Sequence, residues 1–331
     1  MNVISRARLG AVLGAAVLGV GVFAAPALAD PPAGDYRVLA GAGSDTTQDV
    51  LNGIGDAVDG GRTIASYNAT PTGTVKTREV NCEIARPNGS SAGVTALNTA
   101  VDTNSGCLDF ARSSRGPADT STSQDLTFIP FAKDAVSVAV RDDSALNNDL
   151  DLTTAQLAAI FRCDAGARVL NGVTLTPLLP QLNSGTRTFF LGRIGVTEAQ
   201  VGSCVATMQE HNGLALDTAG DIAPYSIAQY ISQVTNVVED RHGATALGRI
   251  DGSEPFTAEG TLNTGFVYNR DVYNVVPTAK LTDPVIDAVF TGTDSKVCTA
   301  VSAGQSVIEK YGFGRIDHCG DTTDPALKGE R

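Results

Sequence analysis

The chain has 331 residues, 36 acidic against 24 basic side chains, and a formal net charge of -12. An apolar content of 42% is enough to build a core, so wholesale disorder is excluded, and the length suits one large or two medium domains. The acidic balance argues against nucleic-acid or anionic-membrane partners, which need a basic patch, but leaves room for a small anion held by local N–H donors.

The N-terminus reads as an export signal. Arg6 and Arg8 precede an uncharged apolar run from Leu9 to Ala25, and Ala27-Leu28-Ala29 fits the small-x-small cleavage pattern. The length of that run leaves a membrane anchor as the competing reading. Cleavage after Ala29 is expected, with residues 1–29 as signal peptide. No Cys follows closely, so no lipid anchor is expected, and the mature protein should be secreted or extracytoplasmic.

Six cysteines in an exported chain suggest disulfides rather than a metal site. None forms a CxxC pair. They fall into three close pairs, so Cys82–Cys107, Cys163–Cys204 and Cys298–Cys319 are expected, on loop length and on the segments they bracket.

Strand and helix patterns then alternate. Arg37–Ala40 is a short strand running into Gly43-Ser-Asp-Thr-Thr47, and Val50, Leu51, Ile54 and Val58 mark a helix that stops at Gly60-Gly61. Ile64–Tyr67 is a second strand. The loop Arg86–Gly93 opens a helix with Val94, Leu97 and Val101 on one face, and Leu108–Ala111 is strand-like. Ala135–Val140 is a buried strand, and Thr153 caps a helix carrying Leu157, Ile160 and Phe161. Asn183–Arg187 opens a helix with Phe189, Phe190 and Ile194; Ser226–Val238 is another helix and Gly265–Tyr268 a strand. Helices near Leu281–Phe290 and Val301–Tyr311 close the chain. The alternation predicts an α/β fold with mostly parallel strands.

Four loops share one composition: Gly43–Thr47, Gly89–Gly93, Ser113–Arg115 and Ser184–Arg187 are rich in Ser, Thr and Gly, and three of them open a helix. A helix N-terminus exposes unpaired N–H groups at the positive dipole end, and hydroxyls add donors. Each loop alone also suits ordinary N-capping. Together, with Arg115 and Arg187, they predict an anion site.

These residues carry a family resemblance. Gly41-Ala-Gly-Ser, Asn88-Gly-Ser-Ser-Ala-Gly, Ala111-Arg-Ser-Ser-Arg and Ser184-Gly-Thr-Arg-Thr-Phe-Phe, in that order, resemble the ligand loops of PstS-like phosphate ABC transporter substrate-binding proteins. Leu152–Phe161 resembles the helix before that family's second-lobe loop. The resemblance spans about Val38 to Ile316. It implies a two-lobe type 2 periplasmic-binding-protein fold with a two-strand hinge, closing on an oxyanion in the cleft. The lobes it implies are 30–131 with a return at 265–331, and 132–264 between. Carried over residue by residue, the ligand set is Ser44, Asp45, Thr46, Ser90, Ser91, Ser114, Arg115, Ser184, Gly185, Thr186 and Arg187. It implies phosphate or a sulfate-like ion as ligand, an ABC permease as partner, a monomer, no cofactor and no enzymatic activity.

Two departures bear on specificity. The family's third loop usually offers an Asp that accepts the phosphate proton, where this chain has Ser114-Arg115; its usual Arg before the fourth loop is Pro180. Asp45 is expected to restore the acceptor and Arg187 the charge, with Arg115 and Arg187 facing each other across the cleft. A carboxylate there would separate hydrogen phosphate from sulfate, since only the former has a proton to donate. Without transport, the same fold would serve as a secreted surface or interaction protein.

An enzyme reading rests on Gly89-Ser-Ser-Ala-Gly93, which matches G-x-S-x-G with Ser91 as nucleophile and His211, His242 or His318 as base. The context argues against it, because Arg86-Pro87-Asn88 stands where a buried strand should precede the turn. The histidines lack metal-ligand spacing, and structural or surface roles are expected for them.

Overall fold

The computed structural model describes residues 30–329. The expected signal peptide, residues 1–29, lies outside the described residues. In chain order the elements that matter are β1 (Leu39–Gly43), α1 (Gln48–Ala57), β2 (Ile64–Ser66), α2 (Ser90–Asp102), β3 (Phe110–Ser113), β4 (Leu126–Arg141), α3 (Thr154–Phe161), β5 (Thr176–Pro180), α4 (Gly185–Arg193), β6 (Ala206–Met208), β7 (Asp221–Ser226), α5 (Ile227–Val234), β8 (Asn269–Pro277) and α6 (Pro284–Phe290).

The main sheet runs β6-β5-β7-β4-β8-β3-β1-β2. Pairings within each end are parallel, whereas β4 and β8 run antiparallel to their neighbours. β4 joins the ends: its residues 126–135 pair with β8 and its residues 136–140 with β7. β4 and β8 are thus the two strands linking the lobes. Their register slips between Val272 and Tyr273, opposite Ala132 and Pro130, which leaves Phe131 as the extra residue of a bulge. Pro130 sits beside that irregularity, where a residue without N–H is tolerated in a sheet.

Each lobe has its own core. In the first, Val50, Leu51 and Ile54 of α1 pack with Phe110, Phe131, Val289, Phe290 and Tyr311, while Val94 and Leu97 of α2 meet Phe128 and Tyr273 on the opposite face. In the second, Val136, Val138 and Val140 pack with Leu157, Phe161, Leu179, Phe190 and Tyr268. Each fully buried aromatic or aliphatic side chain contributes about 1.5–3 kcal/mol. No described helix is long and apolar enough to cross a membrane. The three disulfides are Cys82–Cys107, Cys163–Cys204 and Cys298–Cys319, as expected.

Several local expectations need correcting. Val101 is 37% exposed rather than on the core face of α2. The strand placed at Gly265–Tyr268 begins instead at Asn269, and the helix placed at 301–311 is a hairpin, Val301–Ser302 with Gln305–Ser306, followed by a short helix Val307–Lys310. β4 starts well before Ala135, at Leu126, because Asp134 within it is buried like its apolar neighbours and paired with Arg270.

Candidate functional site

The loops after β1, β3 and β5 and the N-terminus of α2 meet along the seam between the lobes. Ser44, Asp45, Thr46, Ser90, Ser114, Ser184 and Thr186 are fully buried there. Gly43 (φ +133) and Gly89 (φ +107) hold conformations that L side chains rarely adopt; a Cβ on Gly89 would lie 2.3 Å from the Asn183 carbonyl oxygen. A Cβ on Gly185 would lie 2.2 Å from Ser90 Oγ and 2.3 Å from Ser114 Oγ. The first-lobe and second-lobe loops therefore touch backbone to side chain.

At the inner end of the seam, five side chains meet. Thr46 and Thr186, one from each lobe, have hydroxyls 3.2 Å apart. Thr46 Oγ1 donates to Glu210 Oε1 at 2.9 Å and lies 2.9 Å from His211 Nε2. Thr186 accepts from Arg270 Nη2 at 2.8 Å and lies close enough to Glu210 to help hold its carboxyl down. The backbone N–H of Ser226 reaches His211 Nδ1 at 3.3 Å, which assigns the ring proton to Nε2, facing Thr46 and Glu210. Glu210 is fully buried. Burial pushes its carboxyl up, but the hydrogen bond from His211, the hydroxyl of Thr186 and the charge of Arg270 outweigh it and hold the group below its ordinary value.

Arg270 is fixed by the hinge itself. It stands directly across from Asp134 in the β4–β8 register and donates Nε and Nη2 to Asp134 Oδ2 at 3.0 and 2.8 Å. The other Asp134 oxygen accepts from Ser226 Oγ and the Ala228 N–H at the start of α5. Phe189 lies under the guanidinium, 5.2 Å from ring centroid to Cζ.

Asp45 lies on the same seam. Its Oδ2 accepts from Gln209 Nε2 at 2.9 Å, its Oδ1 has no hydrogen-bond partner in the protein, and Arg241 approaches to 3.9 Å. Burial raises the Asp45 carboxyl above its ordinary value, against the opposing pull of Arg241. Ser44 Oγ and Arg270 Nη1 are likewise buried without a hydrogen-bond partner. Arg112, wholly buried, donates to the Ser44 carbonyl and Ser66 Oγ, and burial lowers it to about 10.

The outer end differs from expectation. Arg187 does not face Arg115. It holds Glu198 with Nε and Nη2 at 2.8 and 2.7 Å and donates Nη1 to the Pro180 carbonyl, because the α4 turn projects it along its own lobe. Arg115 reaches Ser91 Oγ at 2.8 Å and the Gly116 carbonyl. The Ser91 N–H, at the start of α2, donates across the seam to the Asn183 carbonyl at 3.1 Å. Ser184 Oγ caps α4 by accepting from the Arg187 N–H, whereas Thr47 and Gly89 give α1 and α2 no side-chain cap.

The structure thus brings together Ser44, Asp45, Thr46, Ser90, Ser114, Gly185 and Thr186 and turns Arg187 away. The sequence reading missed Glu210, Arg270, Asp134 and Gln209, and it treated His211 as peripheral. One signal was available: Lys133-Asp134 breaking the apolar run of β4. The hydrolase geometry is absent from the seam. Ser91 is bonded to Arg115, and His211 holds Thr46 and Glu210 on the same nitrogen, whereas a triad needs nucleophile and acid on opposite ones. Among the described residues, no group of His, Cys, Asp and Glu is placed to hold a metal ion.

The PBP superfamily domain model matches residues 29–295. No curated protein matches the chain. Solved structures do. A Clostridium perfringens protein assigned as a phosphate ABC transporter substrate-binding protein, with bound phosphate, is similar at TM-score 0.60 and 16% identity, over 84% of this chain and 99% of that one. An ABC-type phosphate transport receptor from Vibrio cholerae gives 0.55 and 14% over 84% and 100%. A phosphate-binding protein from Stenotrophomonas maltophilia gives 0.51 and 11% over 86% and 91%. At such identities the shared property is the fold. With four-fifths of its length under the family model and two lobes joined by β4 and β8, the chain belongs to the PBP superfamily and has the type 2 periplasmic-binding-protein fold.

Proposed function

We propose that this protein is an exported solute-binding protein that captures a small oxyanion, phosphate in the first place, and delivers it to an ABC permease. The observation that supports this most is the inner seam, where a hydroxyl from each lobe and the Arg270 guanidinium converge, away from water, beside the Glu210 carboxylate that Thr46 bonds. Donors that hold one oxyanion in a dry site suit another. The three similar structures, all described as phosphate-binding or phosphate-transport proteins, agree with it. Asp45, whose Oδ1 has no hydrogen-bond partner and only Arg241 at 3.9 Å, is the acceptor for the proton of hydrogen phosphate in this reading. The lobes are 30–131 with 265–331, and 132–264; the signal is cleaved after Ala29, and the mature protein works as a monomer.

The test is calorimetric titration of phosphate, then sulfate, into exhaustively dialysed mature protein. Saturable phosphate binding that sulfate does not compete supports the reading and the role of Asp45. Sulfate binding in its place keeps the mechanism and moves the ligand.

A second reading has its own support. The Ser91 N–H is spent on Asn183 and Arg187 on Glu198, so groups expected to serve a solute serve the protein. A secreted interaction protein that keeps the fold would look so, and it would give no heat with either anion.

A further inference from the structure

We propose that Glu210 is a built-in ligand of the cleft, holding the lobes shut without solute and competing with a free oxyanion for Thr46 and Thr186. This deepens the oxyanion-capture reading and rests on it for the competing ligand, though not for the closure.

A threonine hydroxyl has one proton to donate. Thr46 spends its proton on Glu210 Oε1, and Thr186, its hydroxyl 3.2 Å from that of Thr46, lies beside the same carboxylate. Their acceptor sides are also taken, Thr46 by His211 Nε2 and Thr186 by Arg270 Nη2. A free oxyanion that uses these two hydroxyls must therefore displace the carboxylate of Glu210.

The carboxylate is carried by the second lobe and reaches into the first. The Glu210 N–H donates to Gln181 Oε1 at 2.9 Å. The His211 carbonyl accepts from Tyr225 Oη at 2.7 Å and Gln233 Nε2 at 3.1 Å, and His211 is held at φ +54, a conformation uncommon for a side chain of its kind. Three successive residues of this segment then cross the seam. Gln209 donates to Asp45 and accepts from Asn88, Glu210 accepts from Thr46, and His211 faces Thr46. A segment pinned on one lobe and bonded to the other by consecutive side chains is a strap. Its charge is that of the solute the cleft would take, so ligand and strap cannot occupy the hydroxyls together.

The consequence is measurable as a population shift: a protein whose competent open state is scarce shows an apparent affinity lowered by that fraction. The experiment compares wild-type mature protein with Glu210→Ala and Glu210→Gln, and with Thr46→Val, which leaves Glu210 bonded on its own lobe. Small-angle scattering without added anion and calorimetry with inorganic phosphate are the readouts. The expected results are a larger radius of gyration for Glu210→Ala and Thr46→Val than for wild type, and phosphate affinity of Glu210→Ala raised about tenfold or more. An unchanged radius of gyration in both variants overturns the strap. Affinity equal to or below wild type in Glu210→Ala, with wild type binding phosphate, overturns the competition. If no variant binds phosphate, the oxyanion reading fails while expansion of the two variants still supports the strap. If Glu210→Ala does not fold, Glu210→Gln and Thr46→Val carry the scattering test.

Discussion

The inner and outer ends of the seam use the same residue types to opposite effect. At the inner end, Thr46, Thr186 and Arg270 meet one another from both lobes and from the hinge, all buried, with Thr46 bonded to Glu210 and Arg270 to Thr186 and Asp134. At the outer end, Ser184 caps its own helix, Arg187 binds a half-exposed glutamate of its own lobe, and the Ser91 N–H meets a carbonyl. Composition is equally rich in donors at both ends. What differs is that the inner end sets a carboxylate of one lobe on a hydroxyl of the other, whereas the Ser184 and Arg187 side chains at the outer end serve their own lobe. Only donors whose acceptor lies across the seam couple ligand to closure.

The sharpest way to break this comparison is to remove the inner cation. Arg270→Ala leaves Asp134 buried without its cross-strand partner and takes one donor from Thr186. Losing one partner of a buried pair costs about 3–5 kcal/mol. Urea unfolding should show that loss, and a change below about 1 kcal/mol would place the pair among those that contribute little. Acid titration probes the same end. Glu210 is held at about 2 against an ordinary 4.5, so it stabilises the fold fully above 4.5 and loses that contribution as pH falls toward 2. Asp45, raised by burial, works in the opposite direction and stabilises more when protonated. Glu210→Gln should flatten the fall in stability below pH 4.5, read from urea midpoints; parallel curves for the two proteins would refute the hold on Glu210.

Two glycines on α4 sharpen the comparison by geometry alone. A methyl at Gly185 runs into Ser90 and Ser114 across the seam, while a Cβ at Gly192 meets nothing within 4 Å. Gly185→Ala should cost about 1–3 kcal/mol by overpacking and weaken closure. Gly192→Ala should be neutral or stabilise by up to about 1 kcal/mol through helix propensity. Equal midpoints for the two variants would mean that the loops do not press together as tightly as this.

Much of the fold was legible because its signals are local. Helical spacing marked α1 and α3, the Thr153 capping box with Gln156 is a sequence signature, and the close cysteine pairs match the bridges formed. The hydroxyl loops were legible too, since they punctuate strand ends. Glu210 and Arg270 were not. Nothing near Met208-Gln-Glu-His marks a carboxylate that crosses to another lobe, and Arg270 gains its meaning only when the β4–β8 register sets it opposite Asp134. Arg187 shows the reverse failure: a motif placed it in the ligand set, and the helical phase of α4 turned it toward Glu198.

Arg187→Ala is the smallest expected loss and the one that isolates that difference. The variant loses a two-point contact to a carboxylate that is 54% exposed and one hydrogen bond to the Pro180 carbonyl. Solvent screening on the Glu198 side keeps the expected loss near about 1 kcal/mol. Because the side chain points along its own lobe, phosphate affinity should stay at the wild-type value by calorimetry while the urea midpoint falls slightly. A large drop in affinity with an unchanged midpoint would return Arg187 to the ligand set, and would mean that the side chain leaves Glu198 when the cleft fills.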